Sequence, residues 1–183
     1  MYSRNFLKGF TLVELLVVVA IIGILASIIT VSVVGSKAKS RDAKRVADVK
    51  NLQLALSLYY SDNSQYPTSL GPLVTSNYLP ALPKDPNSSV ACTDGSQASC
   101  YKYTGYRLGA GACNSSNLPV AYQLGAVLED QNNSALIDDI DYDFTTNGYT
   151  ACNGGSGAFW GNNADCGLTN GSPTPELCYS QKP

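Results

Sequence analysis

The sequence predicts an α+β protein: a long amino-terminal helix whose second half is packed by a small antiparallel β-sheet head carrying disulfides. Three observations predict it. Residues 10–34 form an apolar run whose only ionisable residue is Glu14. The residues after it keep apolar side chains at helical spacing. All six cysteines lie beyond residue 90, in a segment rich in Gly, Ser, Asn, Pro and Tyr. A length of 183 residues suits one ordinary domain with an attachment and argues against a large multi-domain enzyme.

The apolar run is dense in Val, Ile and Leu around the whole circumference of a helix, which a soluble amphipathic helix avoids. Its 25 residues, from Phe10 to Val34, reach roughly 37 Å as a helix, enough to cross a hydrocarbon core of ~30 Å with tilt. Lys37, Lys39, Arg41, Lys44, Arg45 and Lys50 follow, interleaved with Asp42 and Asp48. Such a zone is expected to be a solvated helix face near lipid headgroups. Val46, Val49, Leu52, Leu56 and Tyr59 step by three or four residues, the spacing of one helix face. No proline occurs before Pro67, and the first strong break is Ser61-Asp62-Asn63-Ser64. One continuous helix is therefore expected from about Thr11 to Tyr60, on the order of 75 Å long.

The head begins at residue 61. Tyr101–Leu108 alternates aromatic and polar residues and reads as a strand, as does Val120–Leu128. The Gly- and Asn-bearing stretch between them suits a long hairpin connection. Residues 152–178 are mostly turn formers that need their disulfides to hold a shape.

Charge is divided along the chain. Residues 1–50 hold 8 basic and 3 acidic groups, whereas residues 51–183 hold 4 basic and 11 acidic ones. An acidic head argues against nucleic-acid binding there. The chain has no histidine, which removes Ser-His-Asp and Cys-His catalysis and every His-based zinc site, so no enzyme is expected. Cys92, Cys100, Cys113, Cys152, Cys166 and Cys178 have no C-x-x-C spacing and are expected to form disulfides in an oxidising compartment. Sequence does not fix the pairing. Cys92 with Cys100 and Cys152 with Cys166 are the first expectations, because each closes a short loop. Asp139, Asp141 and Asp143 have the spacing that opens an EF-hand loop, but Phe144 replaces the glycine and Thr150 the bidentate Glu. An EF-hand is excluded, and a solvated acidic turn is the plainer reading.

A leader with Arg4 and Lys8 ends in Gly9, followed by Phe10-Thr11-Leu12-Val13-Glu14. This boundary precedes the apolar run, unlike that of an ordinary secretory signal. It resembles the class III signal of type IV pilins and type II secretion pseudopilins. Tyr66-Pro67-Thr68, Tyr78-Leu79-Pro80 and Leu82-Pro83-Lys84-Asp85-Pro86 are similar to the stretch that follows the helix in the major pseudopilin.

The resemblance implies a pilin-like fold. It also implies that a prepilin peptidase cuts between Gly9 and Phe10 and methylates the new Phe10 amine. It divides the chain into a leader (1–9), a membrane and polymerisation helix (10–34), an amphipathic half (35–60) and an external head (61–183). It further implies partners: other copies and other pilin-like subunits, an assembly platform protein and an ATPase. Related pseudopilins hold calcium in a carboxyl-terminal loop, which keeps Ca²⁺ at Asp139, Asp141 and Asp143 in play with a different geometry.

Physics gives Glu14 a task. A lone carboxylate in hydrocarbon costs about 2.5–3.5 kcal/mol or more. Cleavage creates an ammonium on Phe10, and the Phe10 of a neighbouring copy can neutralise Glu14 and set the axial register. Basic residues after the apolar run outnumber those before it, so the positive-inside rule alone puts the head in the cytoplasm. The cysteines and the resemblance put it outside, and they prevail. The expected protein is a structural subunit, held in the cytoplasmic membrane before assembly and in an extracellular or periplasmic filament afterwards. The reading leans to a type IV pilus, with a type II secretion pseudopilus second. A membrane-anchored binding domain that never polymerises is the rival of another class.

Overall fold

The computed structural model describes residues 9–93, 100–109, 113, 118–138, 147–152 and 178–183, without the side chains of 28–34, 138, 178 and 180. It has the expected α+β class: one long helix and a small antiparallel sheet. The chain divides into two compact units, Met1–Ala38 and Lys39–Pro183.

Helix α1 runs from Leu12 to Asn63. It ends where the polar cluster was expected to end it: Ser64 turns left-handed (φ 56°) and its N–H donates to the Tyr60 carbonyl at 2.7 Å. In the first unit every large apolar residue from Phe10 to Leu25 is exposed, by 47–85 %. Among the described residues no helix is long and apolar enough to cross a membrane. The expected span over 10–34 continues through residues 28–34, whose side chains lie outside the description.

The second unit is built on the other half of α1. Val49, Leu52 and Leu56 are fully buried, and Val46 and Tyr59 pack against the same core. The three-four spacing thus puts one stripe under the sheet. A short helix α2 (Gly71–Thr75) adds Leu73 to that core. The sheet comprises β1 (Lys102–Leu108), β2 (Ala121–Val127), β3 (Tyr149–Ala151) and β4 (Cys178–Gln181), all antiparallel in the order β3-β1-β2-β4. β1 and β2 fall on the two stretches expected as strands, and both are buried in runs rather than alternately. Tyr103 on β1 and Tyr122, Leu124 and Ala126 on β2 belong to the same core as the helix stripe.

Gly105, in the middle of β1, lets the Tyr66-Pro67 turn come down on the strand. A Cβ at this position would stand 2.8 Å from Pro119 Cγ and 3.2 Å from the Pro67 carbonyl oxygen. That same oxygen accepts the Tyr103 hydroxyl at 2.6 Å, so the turn cannot easily withdraw. Gly105→Ala is expected to lower the unfolding free energy by about 1–3 kcal/mol, measured by denaturant titration of the detergent-solubilised chain.

Cys92 pairs with Cys100 as the short spacing suggests, Cα to Cα 5.3 Å. Cys152 does not pair with Cys166: its partner is Cys113, 39 residues away in sequence. The sheet overrides contour length here. β3 runs antiparallel to β1, with Leu108 opposite Tyr149, and the Cys152 N–H donates to the Gly105 carbonyl at 2.8 Å, so pairing with β1 fixes the place of Cys152. Cys166 and the Cys178 side chain lie outside the described residues. Non-reducing peptide mapping is expected to recover 92–100 and 113–152 linked pairs. The loop-closure entropies suggest about 2.5 and about 4 kcal/mol of stabilisation respectively.

Candidate functional site

Two constellations carry the polar chemistry, one in each unit. In the first, Gly9 and Phe10 are exposed and lie before α1 begins. Among the described residues a Cβ on Gly9 would meet nothing within 4 Å, so none of them demands glycine at that place by packing.

Thr11 and Glu14 close the helix start reciprocally. The Thr11 N–H donates to Glu14 Oε2 at 2.9 Å and its hydroxyl to the same oxygen at 2.7 Å. In return the Glu14 N–H donates to Thr11 Oγ1 at 3.3 Å. This is a capping box: Thr at the cap, Glu three residues on, each satisfying a backbone donor that the first turn leaves open. Before any neighbour is present, the carboxylate is therefore already engaged by its own helix. The T-x-x-E spacing ahead of an apolar run was the sequence signal for it, and the sequence reading passed over it.

The second constellation is an ion cluster centred on Arg45, which is 3 % exposed, and Asp42, which is fully buried. Arg45 donates bidentately to Asp85, at 2.6 and 3.0 Å, and through Nη1 to Asp42 and Glu129, both at 2.7 Å. Asp42 also accepts the backbone N–H groups of Glu129 and Asp130 at 2.9 Å. Arg41 pairs with Glu129 from the outside, and Asn87 Nδ2 donates to Glu129 at 2.9 Å. Three separate segments are thus fastened together: α1, the Leu82–Pro86 loop and the turn after β2. The Arg41 hydrogen bond, supported by Arg45 and opposed by burial, holds the Glu129 carboxyl down at about 2. Burial opposes ionisation of Asp85, but the hydrogen bonds from Arg45 and Asn87 prevail and lower its pKa.

This corrects the expectation that residues 37–50 form a solvated basic face. Lys37, Lys39, Lys44 and Lys50 are exposed, but Asp42 and Arg45 are in the interior. A helix face can carry charges and still be buried when each charge has fixed opposite partners. No local pattern announces the cluster, since Asp85 and Glu129 lie 40 and 84 residues from Arg45.

Asp139, Asp141 and Asp143 lie outside the described residues, as do Arg4 and Lys8. Among the described residues no group of three His, Cys, Asp or Glu side chains is placed to hold a metal ion.

Comparison with known proteins adds to this geometry. Residues 6–30 match the family model described as the prokaryotic N-terminal methylation motif. The chain is similar to the type II secretion system core protein G of Dickeya chrysanthemi, 41 % identical over 81 residues that cover 43 % of this chain and 53 % of that one. The Vibrio cholerae protein of the same name is 43 % identical over 93 residues, 43 % of this chain and 64 % of its own. The Klebsiella michiganensis protein is 38 % identical over 99 residues, covering 45 % of this chain and 70 % of its own. The chain thus spans a little over half to under two thirds of the first two relatives. No solved structure matches it.

Proposed function

Since the chain belongs to the type II secretion core protein G family, we propose that it is a structural subunit of a secretion pseudopilus, built by polymerising through its amino-terminal helix. The observation that carries the reading is the first unit: an apolar helix with no partner from Phe10 to Leu25 and a lone carboxylate at its start. Burying each such side chain against other copies contributes about 1.5–3 kcal/mol, and lipid supplies a comparable surface until then. The relatives' names favour secretion over a surface pilus.

In this proposal a prepilin peptidase removes residues 1–9 and methylates Phe10. The helix waits in the cytoplasmic membrane with the head on the far side, and an ATPase-driven platform raises the subunit into the filament. Glu14 then leaves its cap on Thr11 for the Phe10 ammonium of a neighbouring copy, which brings opposite charges together away from water.

Intact mass and amino-terminal sequencing of the protein from its own cells test the reading. The expected chain starts at Phe10 and carries one methyl group, and deleting the gene leaves secreted substrates inside the cell envelope. A chain that starts at Met1, unmethylated, with secretion intact in the deletion strain, would overturn it.

A further inference from the structure

Four Asn-x-Ser triplets without a central proline begin at Asn87, Asn114, Asn132 and Asn170, all beyond the long helix. This triplet is the acceptor signal for N-glycosylation, but it is short enough to recur by chance and decides nothing alone. Geometry has to choose. The lone pair of a carboxamide nitrogen is drawn into its carbonyl, so a transferase must grip the whole group before that nitrogen can attack a sugar. An acceptor therefore needs an exposed asparagine whose carboxamide no neighbour holds, with the hydroxyl two residues on equally open.

Asn114 and Asn170 lie outside the described residues. Asn87 is exposed, but its Nδ2 donates to Glu129 at 2.9 Å, which ties its carboxamide into the Arg45 cluster. Asn132 meets every requirement. It is exposed, and among the described residues its carboxamide has no hydrogen-bond partner. Ser134 is exposed with its hydroxyl equally unengaged. The Asn133 N–H donates to the Asp130 carbonyl at 3.0 Å, which places Gln131 and Asn132 at the tip of a β-turn. The Asp130 carboxylate accepts the Asn132 N–H, and Asn133 Oδ1 accepts the Ala135 N–H, both at 3.0 Å. At its base the Asp130 N–H donates to buried Asp42 at 2.9 Å. The neighbouring polar groups thus hold the turn in shape, and the two groups that an acceptor must offer are left over.

We infer that Asn132 is an N-glycosylation site. The inference rests on the placing of the head beyond the cytoplasmic membrane proposed above, and it adds a glycan to the subunit. Nucleotide sugars stay in the cytoplasm, so the donor class that can reach this turn is a glycan carried on a polyprenyl diphosphate in the membrane. In the transfer Asn132 Nδ2 loses one proton to a base of the transferase and forms a bond to C1 of the first sugar. The bond from C1 to the diphosphate oxygen breaks, and the lipid diphosphate leaves with its electron pair. Nothing is oxidised or reduced. The rigid turn then holds the glycan away from the sheet and the helix stripe, where there is no room for it.

The test uses the full-length chain purified from its own cells, with intact mass measured and the proteolytic peptide containing Asn132 sequenced by electron-transfer mass spectrometry. That peptide is expected to carry a glycan on Asn132. Asn132→Gln and Ser134→Ala are each expected to remove the whole glycan mass from the intact chain. Ser134→Thr keeps the hydroxyl and is expected to keep the glycan, as is Asn87→Gln. The Asn132→Gln chain is still expected to give the 92–100 and 113–152 linked pairs, which separates loss of the glycan from loss of the fold. A mature chain that starts at Phe10 with Asn132 bare, or a glycan held only at another residue, would overturn the inference and leave the pseudopilus proposal standing. A bare chain that starts at Met1, with secretion intact in the deletion strain, would overturn both.

Discussion

Asp42→Ala is expected to destabilise the second unit by about 3–5 kcal/mol, a large part of the stability of a domain this size. The carboxylate accepts from Arg45 and from the backbone N–H groups of Glu129 and Asp130. Its removal leaves a guanidinium and two amide donors in a place where water does not reach them. Denaturant unfolding of the solubilised chain checks the figure. The exposed Lys44–Asp48 pair, 2.5 Å apart, supplies the contrast, since Lys44→Ala is expected to cost less than about 1 kcal/mol. A loss at Asp42 no larger than that at Lys44 would show the buried cluster to be dispensable.

The cluster also makes stability depend on acid. Glu129 and Asp85 both ionise more readily folded than unfolded, so their contribution is complete above the ordinary carboxylate value of 4.5 and is lost as pH falls through the folded values. For Glu129 that window closes at about 2. The melting temperature should therefore drop between pH ~4.5 and ~2, and Glu129→Gln should flatten part of the slope.

Glu14→Ala is expected to abolish filaments, with yield down by more than about tenfold, while the head melts as before. The capping box makes a second variant necessary. Thr11→Ala removes the reciprocal hydrogen bonds at a cost of about 1 kcal/mol to the helix start but leaves the carboxylate in place. If Glu14 acts between copies, Thr11→Ala filaments should be nearly as abundant as the unaltered ones in electron micrographs. Equal loss from both variants would mean that Glu14 serves only its own helix.

The features that were legible in the sequence are the ones that depend on local period. The stripe through Val49, Leu52 and Leu56, the aromatic-polar alternation of Tyr101–Leu108 and the apolar stretch around β2 are written in nearby residues. β3 and β4 were not legible, because strands of three and four residues carry too little pattern to stand out among turn formers. The Arg45 cluster and the Cys113–Cys152 bond join distant segments, so they depend on the tertiary fold rather than on neighbouring residue types. The Thr11–Glu14 cap is written locally as well, in the T-x-x-E spacing that opens the apolar run.

Because Val49, Leu52 and Leu56 supply the floor beneath the sheet, the globular part does not start where the helix stops. Anyone producing it as a secreted recombinant fragment should begin near Lys39, since a version trimmed to residue 61 would expose tyrosines meant for the interior and clump. In the cell those helical residues are made before any of the strands, so the floor exists by the time the sheet forms on it.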